Sequence, residues 1–162
     1  MTAPKITRRP AGEPDLEFLF DLYASTRAAE LAMTPWTPEQ KRQFLTMQFQ
    51  AQIDGYRHAY PKAVHEIIAA DGRPAGRLYL SREAERLHIL DITIAPELRN
   101  TGIGSLLIGE ILQEADRECK SVTIYVESFN PSLRLFLRLG FQVASQDSFQ
   151  LLLERSAASA AN

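Results

Sequence analysis

Asp91-Ile92-Thr93-Ile94-Ala95-Pro96-Glu97-Leu98-Arg99-Asn100-Thr101-Gly102-Ile103-Gly104-Ser105 is the stretch that organises this chain. Its first part alternates, with Leu90, Ile92 and Ile94 apolar where Asp91 and Thr93 are polar, the period of a strand with two unlike faces. Pro96 ends that strand, because it has no N–H to offer a ladder. A loop with two glycines follows, and then Ile103, Leu107, Ile111 and Ala115 recur at the spacing of one buried helix face. Gly102 and Gly104 let bare backbone approach a ligand closely. N–H groups at a helix start point where the helix dipole is positive, which suits an anion, and Arg99 adds a charge fitted to phosphate oxygens. The segment predicts a pyrophosphate-binding turn. The plainer alternative is that the glycines only admit a tight turn into the helix.

Downstream, Val122, Ile124 and Val126 alternate as a second strand. Strand, helix and strand with short connections make a βαβ unit, so this pair should be parallel with a right-handed crossover. A short helix from Pro131 to Leu139 should end at Gly140, and Phe141–Ala144 with Phe149–Leu153 read as a closing hairpin. Upstream, Val64–Ala70 and Ala75–Leu80 flank Asp71-Gly72, a hairpin signal because both turn positions accept positive φ. A polar turn at Arg82–Arg86 leads into Leu87–Ala95, completing an antiparallel meander. Residues 5–8 form a short first strand. Leu16, Leu19, Phe20 and Tyr23 then mark one buried face of a helix running to about Ala32, with Pro14 near its start and Glu13, Asp15 and Glu17 suited to its dipole. Thr37-Pro38-Glu39-Gln40 opens a second helix with a capping box. Its stripe is expected at Phe44, Met47 and Ala51 and its end near Gly55. The elements predict an α/β fold with a single mixed sheet, antiparallel at first and parallel in the middle. One domain should span 1–155, and the small polar tail 156–162 should fray.

With 162 residues, 45% of them apolar and 23% charged, the chain can fill the core of one domain. A net charge of −2 without a basic tract argues against nucleic acid as a partner. One cysteine, Cys119, rules out an intrachain disulfide framework and points to a reducing, cytoplasmic setting. No apolar run spans a bilayer, and no apolar stretch follows Met1-Thr2-Ala3-Pro4-Lys5 as a secretory signal would require. His58, His65 and His88 lack metal-ligand spacing, so no metal is expected. No serine nucleophile elbow is present.

Three kinds of phosphate loop compete for the glycine segment. A nucleotide-triphosphate loop needs Gly-Lys-Ser/Thr, whereas Ser105-Leu106 follows Gly104. A dinucleotide fingerprint needs a third glycine where Leu107 stands, although Glu127 lies roughly where its ribose-binding acid would fall. The third is a coenzyme A turn. From Leu87 to Phe141 the chain resembles the GNAT superfamily of N-acetyltransferases. The resemblance rests on Arg99-Asn100-Thr101-Gly102-Ile103-Gly104 after a strand closed by proline, and on Asn130-Pro131-Ser132 followed by Leu133-Arg134-Leu135-Phe136-Leu137-Arg138-Leu139-Gly140-Phe141. It implies a GNAT-like mixed sheet with helices on both faces, acetyl-CoA as cosubstrate, and transfer of the acetyl group to an amine. By the same resemblance the backbone along Ile92, Thr93 and Ile94 pairs with the pantetheine arm, and one N–H there polarises the thioester carbonyl. The turn Arg99, Asn100, Thr101, Gly102, Ile103, Gly104, with Ser105 beyond it, would hold the pyrophosphate, and Asn130 would bond the cofactor. Asn130 equally suits a cap for the helix after Pro131.

The family often has a tyrosine where Phe136 stands, four residues before the Gly-Phe pair, to protonate the departing thiolate, and by the same resemblance Phe136 is expected to border the cofactor. The spacing from Asn130 is one residue shorter than usual, which makes Leu137 the other match, and it too lacks a hydroxyl. An alkyl thiol with a pKa of roughly 8.5 still leaves near neutral pH, and losing a general acid costs about 10²–10⁴-fold. Tyr125, Ser128 or a water are the stand-ins. Asp91 is the first candidate for the base that takes the amine proton, with a solvated or substrate-holding carboxylate as the alternative. Glu30 is a further candidate for reading a positively charged substrate. Trp36, Phe44, Phe49 and Tyr56 could line an acceptor pocket or belong to the core. The acceptor is expected to be a small-molecule or peptide amine, and a homodimer through a sheet edge or the C-terminal hairpin is compatible with the pattern. A non-catalytic acyl-CoA-binding or regulatory domain on the same fold is the alternative function.

Overall fold

Asp71 and Gly72 take φ values of 49° and 81°, the left-handed pair that joins β2 (Val64–Ala70) to β3 (Arg73–Arg82) in a two-residue turn. The computed structural model of the protein describes residues 3–158; from residue 159 the expected frayed tail lies outside the described residues. The remaining elements are β1 (Ile6–Pro10), α1 (Leu16–Ala32), α2 (Pro38–Ala59), β4 (Arg86–Ile94), α3 (Ile103–Arg117), β5 (Ser121–Glu127), α4 (Leu133–Arg138), β6 (Gln142–Asp147) and β7 (Gln150–Arg155). The strands form a seven-stranded mixed sheet in the order β1-β2-β3-β4-β5-β7-β6. The β4–β5 pair is parallel and the hairpin strands are antiparallel, as the spacing predicted. The last strand inserts beside β5, so β6 becomes the edge, and every one of its residues is exposed.

Contacts divide the chain into two compact units, and the division falls inside β3 and β4 rather than in a linker. The first holds the chain up to Leu78 together with Thr93–Arg99. Here Thr37 and Gln40 form the expected reciprocal capping box, with Gln40 N–H donating to Thr37 Oγ1 (3.1 Å) and Thr37 N–H to Gln40 Oε1 (2.9 Å). The buried stripe of α2 differs from expectation. It is Leu45, Phe49 and Ile53, while Met47 is 62% exposed and Gly55 is passed without a break. The reason lies in α1, whose Phe20 and Tyr23 rings meet Phe49 at 6.0 and 5.6 Å and turn the four-residue row of α2 inward. Leu16, expected on the buried face of α1, is exposed, and Leu22 is buried instead.

The second unit holds Tyr79–Ile92 and the chain from Asn100 on. Its core comes from Ile103, Leu107, Ile111 and Ala115 of α3 and from Leu87, Ile89, Val122, Ile124 and Val126 of the parallel pair, all buried. Burying a helix stripe and the matching sheet face is what makes this βαβ unit cohere.

Candidate active site

The parallel ladder between β4 and β5 pairs Arg86 with Ser121, Leu87 with Val122, His88 with Thr123 and Ile89 with Ile124, and ends there. Both strands run past it, β4 to Ile94 and β5 to Glu127. From Leu90 to Ile94 every residue of β4 is half-buried, whether polar or not. The strands thus part beyond Ile89 and Ile124, and Leu90–Ile92 and Tyr125–Glu127 border the opening. Asp91 sits on this segment of β4, half-buried.

Gly76 is a determinant that sequence reading missed. A Cβ there would collide with the Thr93 carbonyl oxygen and lie 3.2 Å from Ile94 Cα, so only glycine lets β3 run this close to the end of β4. The signal was available: a glycine inside a strand pattern marks close backbone approach. Ala95 N–H donates to Ala75 O at 2.7 Å just beyond it.

The strand leaves through a single 3₁₀ turn at Pro96–Leu98. Asn100 and Gly102 then adopt φ of 63° and 92°, and Gly102 is the N-cap of α3. That helix start has no side-chain cap and no acidic residue in its first turn, and a Cβ at Gly102 would meet nothing within 4 Å. The helix therefore opens with bare donors in an accessible place, the arrangement that receives an anion. Ile103 is buried and anchors the turn, Gly104 and Ser105 are half-buried, and Asn100 and Thr101 are exposed. Arg99 is exposed. Its Nε donates to Ile94 O (3.1 Å) and its NH2 to Ser25 Oγ of α1 (3.3 Å), so its charge is steadied over the end of β4.

Asn130 closes the turn before α4, whose N-cap is Ser132: its Oδ1 accepts from the Ser132 N–H (2.9 Å) and hydroxyl (2.8 Å). Phe136 is 2% exposed and packs edge-to-face on Phe141 at 5.3 Å, which makes it a core residue rather than a surface for a ligand. Leu137 is 45% exposed. Glu30 is exposed and pairs with Arg27 at 3.3 Å, and Arg27 also lies 5.7 Å from the Tyr23 ring centroid. Of the aromatic residues, Phe49 is core, and Trp36 rests on Phe44 at 5.1 Å.

Sequence reading gave His88 no metal-ligand spacing, and the structure places it in a buried polar cluster. His88 Nδ1 lies 2.7 Å from Thr123 Oγ1, to which Arg86 NH1 also donates at 3.3 Å, and Arg86 Nε pairs with Glu83 at 3.0 Å. Burial first, and then the neighbouring Arg86, lowers the His88 pKa to about 4, so the imidazole is neutral near pH 7.

The family model described as the acetyltransferase (GNAT) family matches residues 23–141. The chain belongs to the GNAT acetyltransferase family. The paia N-acetyltransferase of Thermoplasma acidophilum, solved in complex with coenzyme A, superposes on this acetyltransferase with a TM-score of 0.69 at 18% identity, covering 94% of this chain and 99% of its own. Ard1 from Thermoplasma volcanium gives 0.63 at 19% identity, over 95% and 99% of the two chains. The ribosomal-protein-S18-alanine N-acetyltransferase from Escherichia coli gives 0.62 at 15%, over 97% of each. At these identities the likeness is one of fold. No helix among the described residues of the acetyltransferase is long and apolar enough to cross a membrane.

Proposed function

We propose that this acetyltransferase moves the acetyl group of acetyl-CoA onto a primary amine of a small molecule or peptide, by direct attack of the amine on the thioester. The observation that carries the reading is the parting of β4 and β5 beyond Ile89 and Ile124, followed in the chain by an uncapped helix start at Gly102. An acyl-CoA needs both: an opening that accepts an extended arm, and bare N–H donors for its pyrophosphate. The residues fit that group. Backbone from Ile92 to Ile94 would bond the arm, the turn from Arg99 to Ser105 would hold the phosphates, and the Asn130 side-chain NH2 would offer a donor while its Oδ1 accepts from Ser132. Names of structural neighbours, two of them called N-acetyltransferases and one solved with coenzyme A, support the reading.

The thioester supplies the activated acyl group; the chain has to orient it, deprotonate the amine and tolerate the departing thiolate. Asp91, half-buried on the segment of β4 that borders the opening, is the candidate base. Burial of Phe136 favours a second reading, an acyl-CoA-binding domain without turnover, because the family's tyrosine position offers no acid here.

Calorimetric titration with coenzyme A and acetyl-CoA tests the binding half. Wild type should bind both. Gly102→Asp should bind neither, since it adds bulk and negative charge where a Cβ has open space, and should stay folded at a cost of about 1–2 kcal/mol for the left-handed backbone. Thiol release from acetyl-CoA across a panel of amines then separates the two readings: binding without release under any amine leaves only the second. A folded wild type that ignores both ligands sinks the proposal.

A further inference from the structure

Tyr125 is the first residue of β5 beyond the parallel ladder. It lies inside a strand that pairs with β7 through Leu152, yet it is 49% exposed, while Ile124 and Val126 on either side are buried. Strand alternation sets it on the face of Thr123 and His88, opposite to Leu87, Ile89, Val122, Ile124 and Val126. Those five apolar residues form the face that the apolar stripe of α3 can cover, so the helix whose start offers the anion site belongs to the other side of the strands. A phenol standing at the apex of the opening, on the face away from that helix, is placed for the partner that does not carry the phosphates.

The ring is held in place. It forms a T-shaped pair with the His88 imidazole, centroids 5.6 Å apart at an interplanar angle of 82°, and His88 in turn faces Thr123 across the ladder. Arg86 NH1 donates to Thr123 Oγ1, and His88 Nδ1 lies 2.7 Å from the same oxygen. That contact across the ladder fixes the orientation that the imidazole ring presents to Tyr125.

We propose that Tyr125 receives the acceptor: its phenol oxygen accepts an N–H bond from the neutral amine at the apex of the β4–β5 opening, with His88 as the residue that positions the ring. This rests on the proposed N-acyltransferase reading and names the acceptor contact within it. An oriented amine gains through proximity, because a lone pair aimed at the carbonyl need not search for it.

The test uses the full chain saturated with coenzyme A and benzylamine as probe at a pH where the amine is partly neutral, with the ring NMR signals of Tyr125 and His88 followed during titration. Wild type should show saturable shifts at both rings, and Tyr125→Phe should weaken benzylamine about tenfold or more while leaving coenzyme A affinity unchanged. His88→Ala should weaken the amine to a lesser degree, again without touching coenzyme A. In turnover, Tyr125→Phe should raise KM for the amine more than it lowers kcat. Unmoved ring signals, or equal benzylamine affinity in wild type and Tyr125→Phe, overturn the proposal. So does a fall in kcat at constant amine KM that is largest at low pH and shrinks as pH rises, which would make the phenol a proton donor to the thiolate instead. Failure of wild type to bind coenzyme A sinks the underlying reading separately. The benzylamine titration of the free protein then still decides whether Tyr125 contacts amines.

Discussion

His88 Nδ1 and Thr123 Oγ1 meet at 2.7 Å directly across the β4–β5 ladder, with both residues 2% exposed. A neutral imidazole is thereby built into the sheet one residue before the strands part. Its folded-state pKa, lowered from 6.5 to about 4, sets a sign. The unfolded chain takes up a proton at His88 that the native protein refuses, so this contribution to stability is complete above pH 6.5 and is lost as pH falls toward 4. We expect the midpoint of thermal unfolding to drop across that window. His88→Asn should start lower and lose much of the slope, which calorimetric scans between pH 7 and 4 would reveal.

A second acid-side loss should appear lower still. Asp15 accepts two bonds from Arg9 (2.8 and 2.9 Å) and one from Gly12 N–H (2.9 Å), chiefly the first of which lowers its pKa from 3.8 to about 2. A lowered carboxylate stabilises the fold above pH 3.8 and ceases to do so as pH falls toward 2. Asp15→Asn should therefore be less stable than wild type at pH 6 and converge on it near pH 2, as denaturant titrations at the two values would show.

Gly76→Ala should strain the end of β4. The added methyl meets the Thr93 carbonyl and Ile94 Cα, all backbone, so the strands must shift. Overpacking of this kind costs about 1–3 kcal/mol. Urea unfolding should register that loss, and coenzyme A affinity should fall with it, because the displaced backbone is the segment proposed to bond the pantetheine arm. Unchanged affinity in a destabilised variant would separate Gly76 from the site.

Phe136 and Leu137 should respond oppositely. Phe136→Ala removes a 2% exposed ring from its edge-to-face contact with Phe141 and should cost about 3–5 kcal/mol. Leu137→Ala, at a 45% exposed position, should stay within about 0.5 kcal/mol. Equal effects in chemical denaturation would mean that α4 is rotated about its axis, with Leu137 sharing the buried face.

Local chemistry alone determined much of this protein. Asp71-Gly72 selected its turn because positive φ is a property of those two residues, and Thr37 with Gln40 capped α2 because a capping box closes within four residues. The α3 stripe and the alternation of Val122, Ile124 and Val126 read correctly because one buried face imposes one period. The glycine turn was legible for the same reason: bare donors at a helix start depend on the helix and its own first residues. Other features wait on partners distant in sequence. Which row of α2 is buried was settled by Phe20 and Tyr23 of α1 against Phe49, leaving Met47 outside. Gly76 acquires its meaning only from Thr93, and Phe136 becomes core through Phe141 and its surroundings rather than through its place in a motif. His88 looks like any strand histidine until Thr123, 35 residues on, is set opposite it. Periodicity reports which face a residue takes; only tertiary packing supplies the group on the other side.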